Sequence, residues 1–220
     1  ISGQPSATVV ASAFEEVIEA AERLLAGPRF RVYGNRDLVG VEVAGALKNV
    51  VAIAAGVSTG LGFGANTLSM LITRGLAEIS RFGAALGADK LTFQGLAVIG
   101  DLIATCSSPL SRNHTVGRRV SQGESLADIE ATLGMVAEGV NTTRAVHRHA
   151  KRLGVDMPIA EGMHRLLFEG AAPAEVLESL MTRASVYEEG AEAEIHNRSI
   201  ATRSVIEHAS AAWRLTGRQG

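Results

Sequence analysis

Residues 39–54 read VGVEVAGALKNVVAIA, a run of small and aliphatic side chains that carries only two charges, Glu42 and Lys48. At the 3.6-residue period of a helix, Lys48 shares a face with Ala44 and Gly45. Such neighbours cannot solvate an ammonium group, and their small size lets a ligand or another backbone approach closely. We therefore expect a helix in which Lys48 either pairs with a carboxylate or is poised for proton transfer. The alternative is that Lys48 extends to the surface from a helix end.

The overall composition is that of a globular protein with a core of small aliphatic side chains. Of the 220 residues, 46% are hydrophobic, 20% are charged and only 4% are aromatic. These proportions allow a sizeable core built mainly from Ala, Val, Leu and Ile. The net charge of -2 gives no electrostatic reason to expect nucleic acid or an anionic membrane surface as a partner. The single Cys106 excludes an internal disulfide and suits a reducing cytoplasm.

The histidines and the longest apolar run predict neither a metal site nor a membrane span. His147 and His149 are two apart and have no acidic or cysteine partner, so we expect both to be surface residues. The run 38–70 is apolar enough to suggest a span, but Lys48 would then lie near the middle of the bilayer. The glycine-rich segment 56–66 should also break the helix there. No basic-then-apolar leader opens the chain, so a secretory signal is not expected.

Secondary-structure patterns divide the chain into three parts. Residues 1–36 contain two β-branched runs, 7–12 and 30–33, on either side of an amphipathic helix, which predicts a short β-α-β unit. Every periodic segment in 37–185 is helical and the loops are short, which predicts a bundle of antiparallel neighbours. Residues 186–220 are rich in Glu, Arg and Ala and form an extension, helical or disordered. The predicted fold class is therefore mainly α with a small α/β part at its start.

Within the bundle, the helix that carries Lys48 is expected to end near Ala55, before a glycine-rich break at 56–64. A long helix over 67–86 should follow, with Arg74, Glu78 and Arg81 on its outer face. Further helical segments are predicted at 91–95, 100–106, 111–122, 126–133, 141–153, 161–168 and 173–183.

Two polar clusters could carry chemistry. Asp101 and Thr105 are four apart and face the same side of one helix, although a helix cap is the commoner role for an aspartate placed like Asp101. Ser111, Arg112 and Asn113 combine a hydroxyl, a guanidinium and an amide just before a helix, which suits a phosphate group. An ordinary helix start with a solvated arginine explains these three equally well. No glycine-rich dinucleotide or phosphate-loop fingerprint occurs in the required strand–helix setting.

Six motifs along the chain form a set. They are FRVY at 30–33, GALKNV at 45–50, GFGAN at 62–66, TRGLAE at 73–78, GDL at 100–102 and SRN at 111–113. Together they resemble the bacterial NAD(P)-dependent glycerol-3-phosphate dehydrogenases, and the likeness extends over residues 3–183. The resemblance implies an all-helical C-terminal domain of the 6-phosphogluconate-dehydrogenase type, preceded by the β-α-β remnant of a Rossmann domain in 1–36. Residues 37–185 would be the substrate-binding and catalytic domain.

The resemblance also implies roles for individual residues. Lys48 would be the catalytic residue, giving a proton to the C2 oxygen of dihydroxyacetone phosphate and taking it back in the reverse direction. The implied substrate-binding residues are Lys48, Asn49, Asp101, Thr105, Ser111, Arg112 and Asn113. The implied cofactor-binding residues are Arg112, Val136 and Glu138, although a surface acid in a loop is the ordinary interpretation of Glu138. In this family the main dinucleotide fingerprint precedes the point where this chain begins, so we expect the chain alone to bind NAD or NADP poorly and to be inactive.

The implied function is the interconversion of sn-glycerol 3-phosphate and dihydroxyacetone phosphate by a cytoplasmic oxidoreductase, which supplies glycerol 3-phosphate for phospholipid synthesis. One alternative is a related β-hydroxyacid dehydrogenase, whose phosphate-free substrate would not need the motif at 111–113. The other is a helical binding or oligomerisation module that is complete as it stands. The sequence leaves the choice between NAD and NADP open, and likewise the oligomeric state, for which a homodimer is one candidate.

Overall fold

The computed structural model describes residues 4–134 and 137–182. Its first part is a β-α-β unit with strand β1 at Ser6–Ala11, helix α1 at Glu15–Leu25 and strand β2 at Phe30–Asn35. The other helices are α2 (Leu38–Gly60), α3 (Ala65–Ala85), α4 (Asp101–Ser107), α5 (Arg112–Ser121), α6 (Leu126–Leu133), α7 (Glu138–Leu153), α8 (Pro158–Phe168) and α9 (Pro173–Met181). A 3₁₀ turn at Lys90–Gln94 and a π-helical turn at Leu96–Gly100 join α3 to α4. The predicted fold class is confirmed, whereas the extension at 186–220 lies outside the described residues.

The β-α-β unit has the parallel pairing that its sequence predicts. Strands β1 and β2 run in register from Ser6 opposite Phe30 to Ala11 opposite Asn35, with α1 as the crossover. Helix α1 packs on β2 through Ile18, which lies against Gly34. The rest of its apolar stripe is exposed, as the exposed fractions of Phe14 (64%) and Leu24 (83%) show.

Helix α2 is the centre of the bundle. Its N-terminus is capped by Asp37, whose carboxylate accepts a hydrogen bond from the Gly40 N–H, and it then packs against α3, α4, α5, α7 and α8. Residues such as Ala52 and Ile53 are completely buried, because a helix surrounded on all sides has no polar face. By length and composition alone, α2 could cross a membrane, but over half of its most apolar window is buried inside the protein. Packing within the core accounts for this apolarity.

The predicted end of this helix near Ala55 is wrong, and so is the predicted break at 56–64. Helix α2 continues through Gly56 to Gly60 because these glycines let α5 approach its backbone. A Cβ atom added to Gly56 would lie 2.0 Å from the backbone oxygen of His114. Likewise, a Cβ atom added to Gly117 on α5 would lie 1.9 Å from the backbone oxygen of Ile53. Close packing of two backbones here outweighs the low helix propensity of glycine.

Of two charged or polar side chains that were predicted to be on the surface, Glu78 is buried and His147 is largely covered. Glu78 was expected on the outer face of α3 but is only 4% exposed. His147 was expected at the surface without an acidic partner, yet its side chain is 11% exposed and its Nδ1 lies 2.6 Å from Oε2 of Glu161. Its ring also stacks on His164 with a centroid distance of 3.7 Å. The other helix and strand boundaries fall within three residues of their predicted positions.

Candidate active site

Lys48 lies in the middle of α2, and its ammonium group forms an ion pair with the Asp101 carboxylate at the start of α4. The two side chains are 23% and 43% exposed, so the pair borders on solvent. Of the two outcomes expected for a lysine in such apolar surroundings, pairing with a carboxylate is the one observed. The alternative of a lysine reaching the surface from a helix end is wrong, because α2 extends more than two turns beyond Lys48 on both sides.

Asp101 does not cap its own helix. The π-helical turn before it runs directly into α4, so Gly100 occupies the N-cap position and makes no side-chain capping bond. Asp101 is left to face α2, and the Thr105 hydroxyl one turn later donates a hydrogen bond to its Oδ1 at 3.3 Å. Lys48, Asp101 and Thr105 therefore form one cluster, as the i, i+4 spacing on α4 suggested.

The nearby thiol takes no part in this chemistry. Cys106 is completely buried behind Asp101 on α4. Burial raises its pKa to about 12, and the negative charge of Asp101 adds to the effect. The thiol is thus protonated at neutral pH and is not a nucleophile.

The motif at 111–113 opens α5, and its three side chains have different surroundings. The Ser111 hydroxyl caps the helix by accepting a hydrogen bond from the His114 N–H at 3.3 Å. Arg112 is the first residue of α5 and is exposed. Asn113 is 8% exposed and points inward. The helix-start interpretation therefore holds for Ser111, and phosphate binding by the three residues stays a prediction.

Asn113 joins three helices beside Lys48. Its Nδ2 donates to Oδ1 of Asn49 at 3.0 Å, and its own Oδ1 accepts a hydrogen bond from the Gly139 N–H at 2.9 Å. Gly139 is the second residue of α7, and its backbone oxygen accepts a hydrogen bond from the buried Thr143 hydroxyl at 2.7 Å. This network links α2, α5 and α7 at the residue that follows Lys48.

The structure brings most of the candidate residues together around the middle of α2, where the first residues of α4, α5 and α7 lie against Lys48 and Asn49. Glu138 is exposed at the first position of α7, directly before Gly139, while Val136 lies outside the described residues. The exposed Arg112 and Glu138 flank the contact between Asn113 and Gly139, so both border the same region as Asn49. Cofactor binding by Arg112, Val136 and Glu138 stays a prediction.

Sequence reasoning missed two parts of the site. Gly139 received no role, because the helix was predicted to begin at 141, whereas α7 begins at Glu138 and includes Gly139 as its second residue. His114 was not singled out, yet it is buried and its Nε2 lies 3.2 Å from the Thr59 hydroxyl of α2. Burial, with help from the nearby Arg118 charge, lowers the pKa of His114, so its imidazole is neutral at pH 7.

The fold and this cluster define a class of protein. A helical domain that holds a lysine against a carboxylate, beside buried amides and an exposed arginine, is typical of an enzyme that transfers protons on an anionic substrate. Within the described ranges, no group of three or more His, Cys, Asp or Glu side chains is placed to hold a metal ion.

Comparison with known proteins gives the family. A family model described as NAD-dependent glycerol-3-phosphate dehydrogenase C-terminus matches residues 37–178. A relative from Geobacter metallireducens, named glycerol-3-phosphate dehydrogenase (NAD(P)+), is 52% identical over 84% of this chain and 56% of its own length. A relative of the same name from Azotobacter vinelandii is 54% identical over 80% of this chain and 52% of its own length.

A solved structure agrees with the sequence relatives. The crystal structure of glycerol-3-phosphate dehydrogenase from Coxiella burnetii is similar with a TM-score of 0.79 and 37% identity, over 82% of this chain and 55% of that chain. The protein therefore belongs to the NAD-dependent glycerol-3-phosphate dehydrogenase family and carries its C-terminal region. It spans about half the length of the curated relatives it matches.

Proposed function

We propose that this chain is the substrate-binding and catalytic half of an enzyme that interconverts sn-glycerol 3-phosphate and dihydroxyacetone phosphate with NAD or NADP. The observation that supports this most strongly is the ion pair between Lys48 and Asp101 inside a domain of this family. Both alternatives, a β-hydroxyacid dehydrogenase and a stand-alone helical module, fit the family match less well.

The proposed role of Lys48 is that of a general acid and base. In the reducing direction, the Nζ proton passes to the C2 oxygen of dihydroxyacetone phosphate, which becomes the hydroxyl of glycerol 3-phosphate. The bound dinucleotide supplies the hydride that C2 receives. Before transfer, the ammonium charge polarises the carbonyl and stabilises the negative charge that develops on its oxygen. Asp101 holds the ammonium in place, and Thr105 in turn holds Asp101.

The proposed binding roles follow the position of each residue. Asn49, Asp101 and Thr105 lie around Lys48 and would bind the hydroxyl oxygens of the substrate. Ser111, Arg112 and Asn113 open α5, where a guanidinium and the positive end of the helix dipole suit the phosphate group. We assign Arg112, Val136 and Glu138 to contacts with NAD or NADP.

The wider setting is also part of this proposal. Residues 1–36 would complete a Rossmann domain, 37–185 would form the catalytic domain and 186–220 an extension. The enzyme would act in the cytoplasm, supply glycerol 3-phosphate for phospholipid synthesis and form a homodimer. The parallel β-α-β unit and the exposed apolar face of α1 support the first assignment, because both suit packing against further Rossmann elements.

A lysine substitution tests the proposed chemistry. In the protein with its dinucleotide-binding part, Lys48→Ala should reduce turnover of dihydroxyacetone phosphate with NADH or NADPH by about 100-fold or more, since it removes a general acid. Oxidation of the nicotinamide is followed at its absorbance, and circular dichroism checks the fold. Lys151→Ala, at an exposed lysine near the end of α7, is the matched control. Near-normal turnover by a folded Lys48→Ala variant would refute the role of Lys48.

A further inference from the structure

Helix α2 contains four glycines, and close packing explains all of them except Gly45. A Cβ atom added to Gly40 would lie 2.2 Å from Oδ2 of Asp37. Cβ atoms added to Gly56 and Gly60 would each lie 2.0 Å from an atom of α5. A Cβ atom added to Gly45, by contrast, meets nothing within 4 Å among the described residues. Since glycine destabilises a helix interior relative to alanine, its presence at position 45 requires another reason.

The open space at Gly45 borders Lys48. Lys48 and Asn49 follow Gly45 by three and four residues, so their side chains lie over its turn of α2. The Nδ2 of Asn49 is 3.4 Å from the backbone oxygen of Gly45, in agreement with this spacing. Gly45 is half-buried and the Lys48 side chain is 23% exposed, so the space is accessible from solvent. A small ligand that reaches the ammonium group would therefore lie against Gly45.

The position of Gly45 relative to α5 indicates which end of the substrate it would meet. The amide of Asn49 has Gly45 on its Nδ2 side and Asn113, at the start of α5, on its Oδ1 side. In the proposed function, the phosphate group binds at the start of α5, where Arg112 lies. The other end of dihydroxyacetone phosphate, which is the hydroxymethyl group on the carbonyl carbon, then lies on the side of Gly45.

We propose that Gly45 is a specificity-determining residue, because its lack of a side chain leaves room beside Lys48 for the hydroxymethyl group of dihydroxyacetone phosphate. This inference rests on the proposed function and deepens it. The space admits a ketone, whose carbonyl carbon carries two carbon substituents. A side chain at position 45 would instead favour an aldehyde, whose carbonyl carbon carries a hydrogen atom in place of one substituent. Gly45 thus selects the substrate by size, and Lys48 acts on its carbonyl group.

Gly45→Ala tests this assignment by placing one methyl group in the space. In the protein with its dinucleotide-binding part, the variant should lower kcat/KM for dihydroxyacetone phosphate by about 10-fold or more, because the substrate is displaced from Lys48. The fold should persist, since the added Cβ atom meets nothing within 4 Å among the described residues, and circular dichroism checks this. Ala131→Val adds bulk at an exposed position of α6 and is the matched control. An unchanged kcat/KM in folded Gly45→Ala would overturn the proposal.

A smaller analogue shows whether the added methyl group competes with the hydroxymethyl group. Glycolaldehyde phosphate has the carbonyl and phosphate groups of the substrate but lacks the hydroxymethyl group. Its binding is measured as competitive inhibition of glycerol 3-phosphate formation, which does not require that the analogue itself be reduced. The inhibition constant should differ by less than about twofold between Gly45→Ala and the parent protein. An inhibition constant that rises as much as kcat/KM for dihydroxyacetone phosphate falls would overturn the proposal.

The nicotinamide cofactor is the other ligand that must approach Lys48, and the same kinetics distinguish it from the substrate. We expect KM for NADH or NADPH to stay within about twofold of the parent value in Gly45→Ala. A raised KM for the cofactor with an unchanged KM for dihydroxyacetone phosphate would overturn the proposal. If the unmodified protein does not reduce dihydroxyacetone phosphate, the proposed function is refuted and this inference with it. In an active parent protein, the contrary results for Gly45→Ala refute this inference alone.

Discussion

The properties of Lys48 depend on a partner that is distant in sequence. Its neighbours on α2 are small and apolar, and they offer the ammonium group no hydrogen-bond acceptor. The acceptor is the carboxylate of Asp101, 53 residues later, and the Thr105 hydroxyl holds that carboxylate. The pair borders on solvent, which lets a substrate oxygen reach the ammonium group without removal of either side chain.

Arg112 is expected to determine affinity for the phosphate group. In the protein with its dinucleotide-binding part, Arg112→Ala should raise KM for dihydroxyacetone phosphate by about 10-fold or more, since charge-assisted bonds to the phosphate are lost. Arg112→Lys should give an intermediate KM, because a lysine keeps the charge but not the planar fork. Steady-state kinetics measure both variants, with Arg118→Ala on the same helix as the control. An unchanged KM and kcat in Arg112→Ala would contradict the assignment.

At the scale of helices, α2 and α5 are held together by glycine. Gly56 and Gly60 on α2 face α5, and Gly117 on α5 faces the backbone of Ile53. Larger side chains would separate the two helices and move the start of α5 away from α2. Because Asn113 and Arg112 lie at that start, the glycines also position the candidate active site.

A single methyl group should disrupt this contact. Gly117→Ala places a Cβ atom 1.9 Å from the backbone oxygen of Ile53, which cannot move without bending α2. We expect the free energy of unfolding to fall by about 1–3 kcal/mol or more, as for overpacked cores. The measurement is urea unfolding followed by circular dichroism.

Gly45→Ala is the matched control for this substitution. Gly45 also lies within α2, but a Cβ atom there meets nothing within 4 Å. Alanine should therefore leave stability unchanged or raise it by up to about 1 kcal/mol, through its better helix propensity. Equal effects of the two substitutions would contradict the proposed backbone contact.

At the scale of the whole molecule, Glu78 joins two helices that are far apart in sequence. Its carboxylate accepts hydrogen bonds from the N–H groups of Ile159 at 2.7 Å and Ala160 at 3.3 Å, which open α8. The N-cap residue of α8, Met157, has no side chain able to cap it. Glu78 on α3 therefore replaces the missing cap. Burial raises the pKa of Glu78 to about 7, because its effect is larger than the opposite effect of the two hydrogen bonds.

This buried carboxyl predicts a pH dependence of global stability. Between about pH 4.5 and 7, the folded protein holds a proton on Glu78 that the unfolded chain has released. Its stabilising contribution is therefore complete below pH 4.5 and is lost as the pH rises through 7. Glu78→Gln keeps an acceptor for the Ile159 N–H but does not titrate. Relative to Glu78→Gln, the parent protein should thus lose on the order of 3 kcal/mol of unfolding free energy over this range.

Urea unfolding of both proteins at pH 5 and pH 8 measures this difference. Glu22→Gln, on the exposed surface of α1, controls for the loss of one carboxylate. A difference between the parent protein and Glu78→Gln that is the same at both pH values would contradict the raised pKa of Glu78.

The sequence by itself determined the helical class, the β-α-β unit and the residue types of the candidate site. These follow from local information: the period of apolar residues, β-branched runs and short motifs such as the lysine–asparagine pair on α2. Only the tertiary structure decided that α2 continues through Gly56, that Glu78 is buried under α8, and that Asn113 faces inward to Asn49 and Gly139. Each of these depends on a partner between 26 and 82 residues away. A glycine, a carboxylate or an amide can have several structural roles. The tertiary contact that each one makes determines which role it has in this protein.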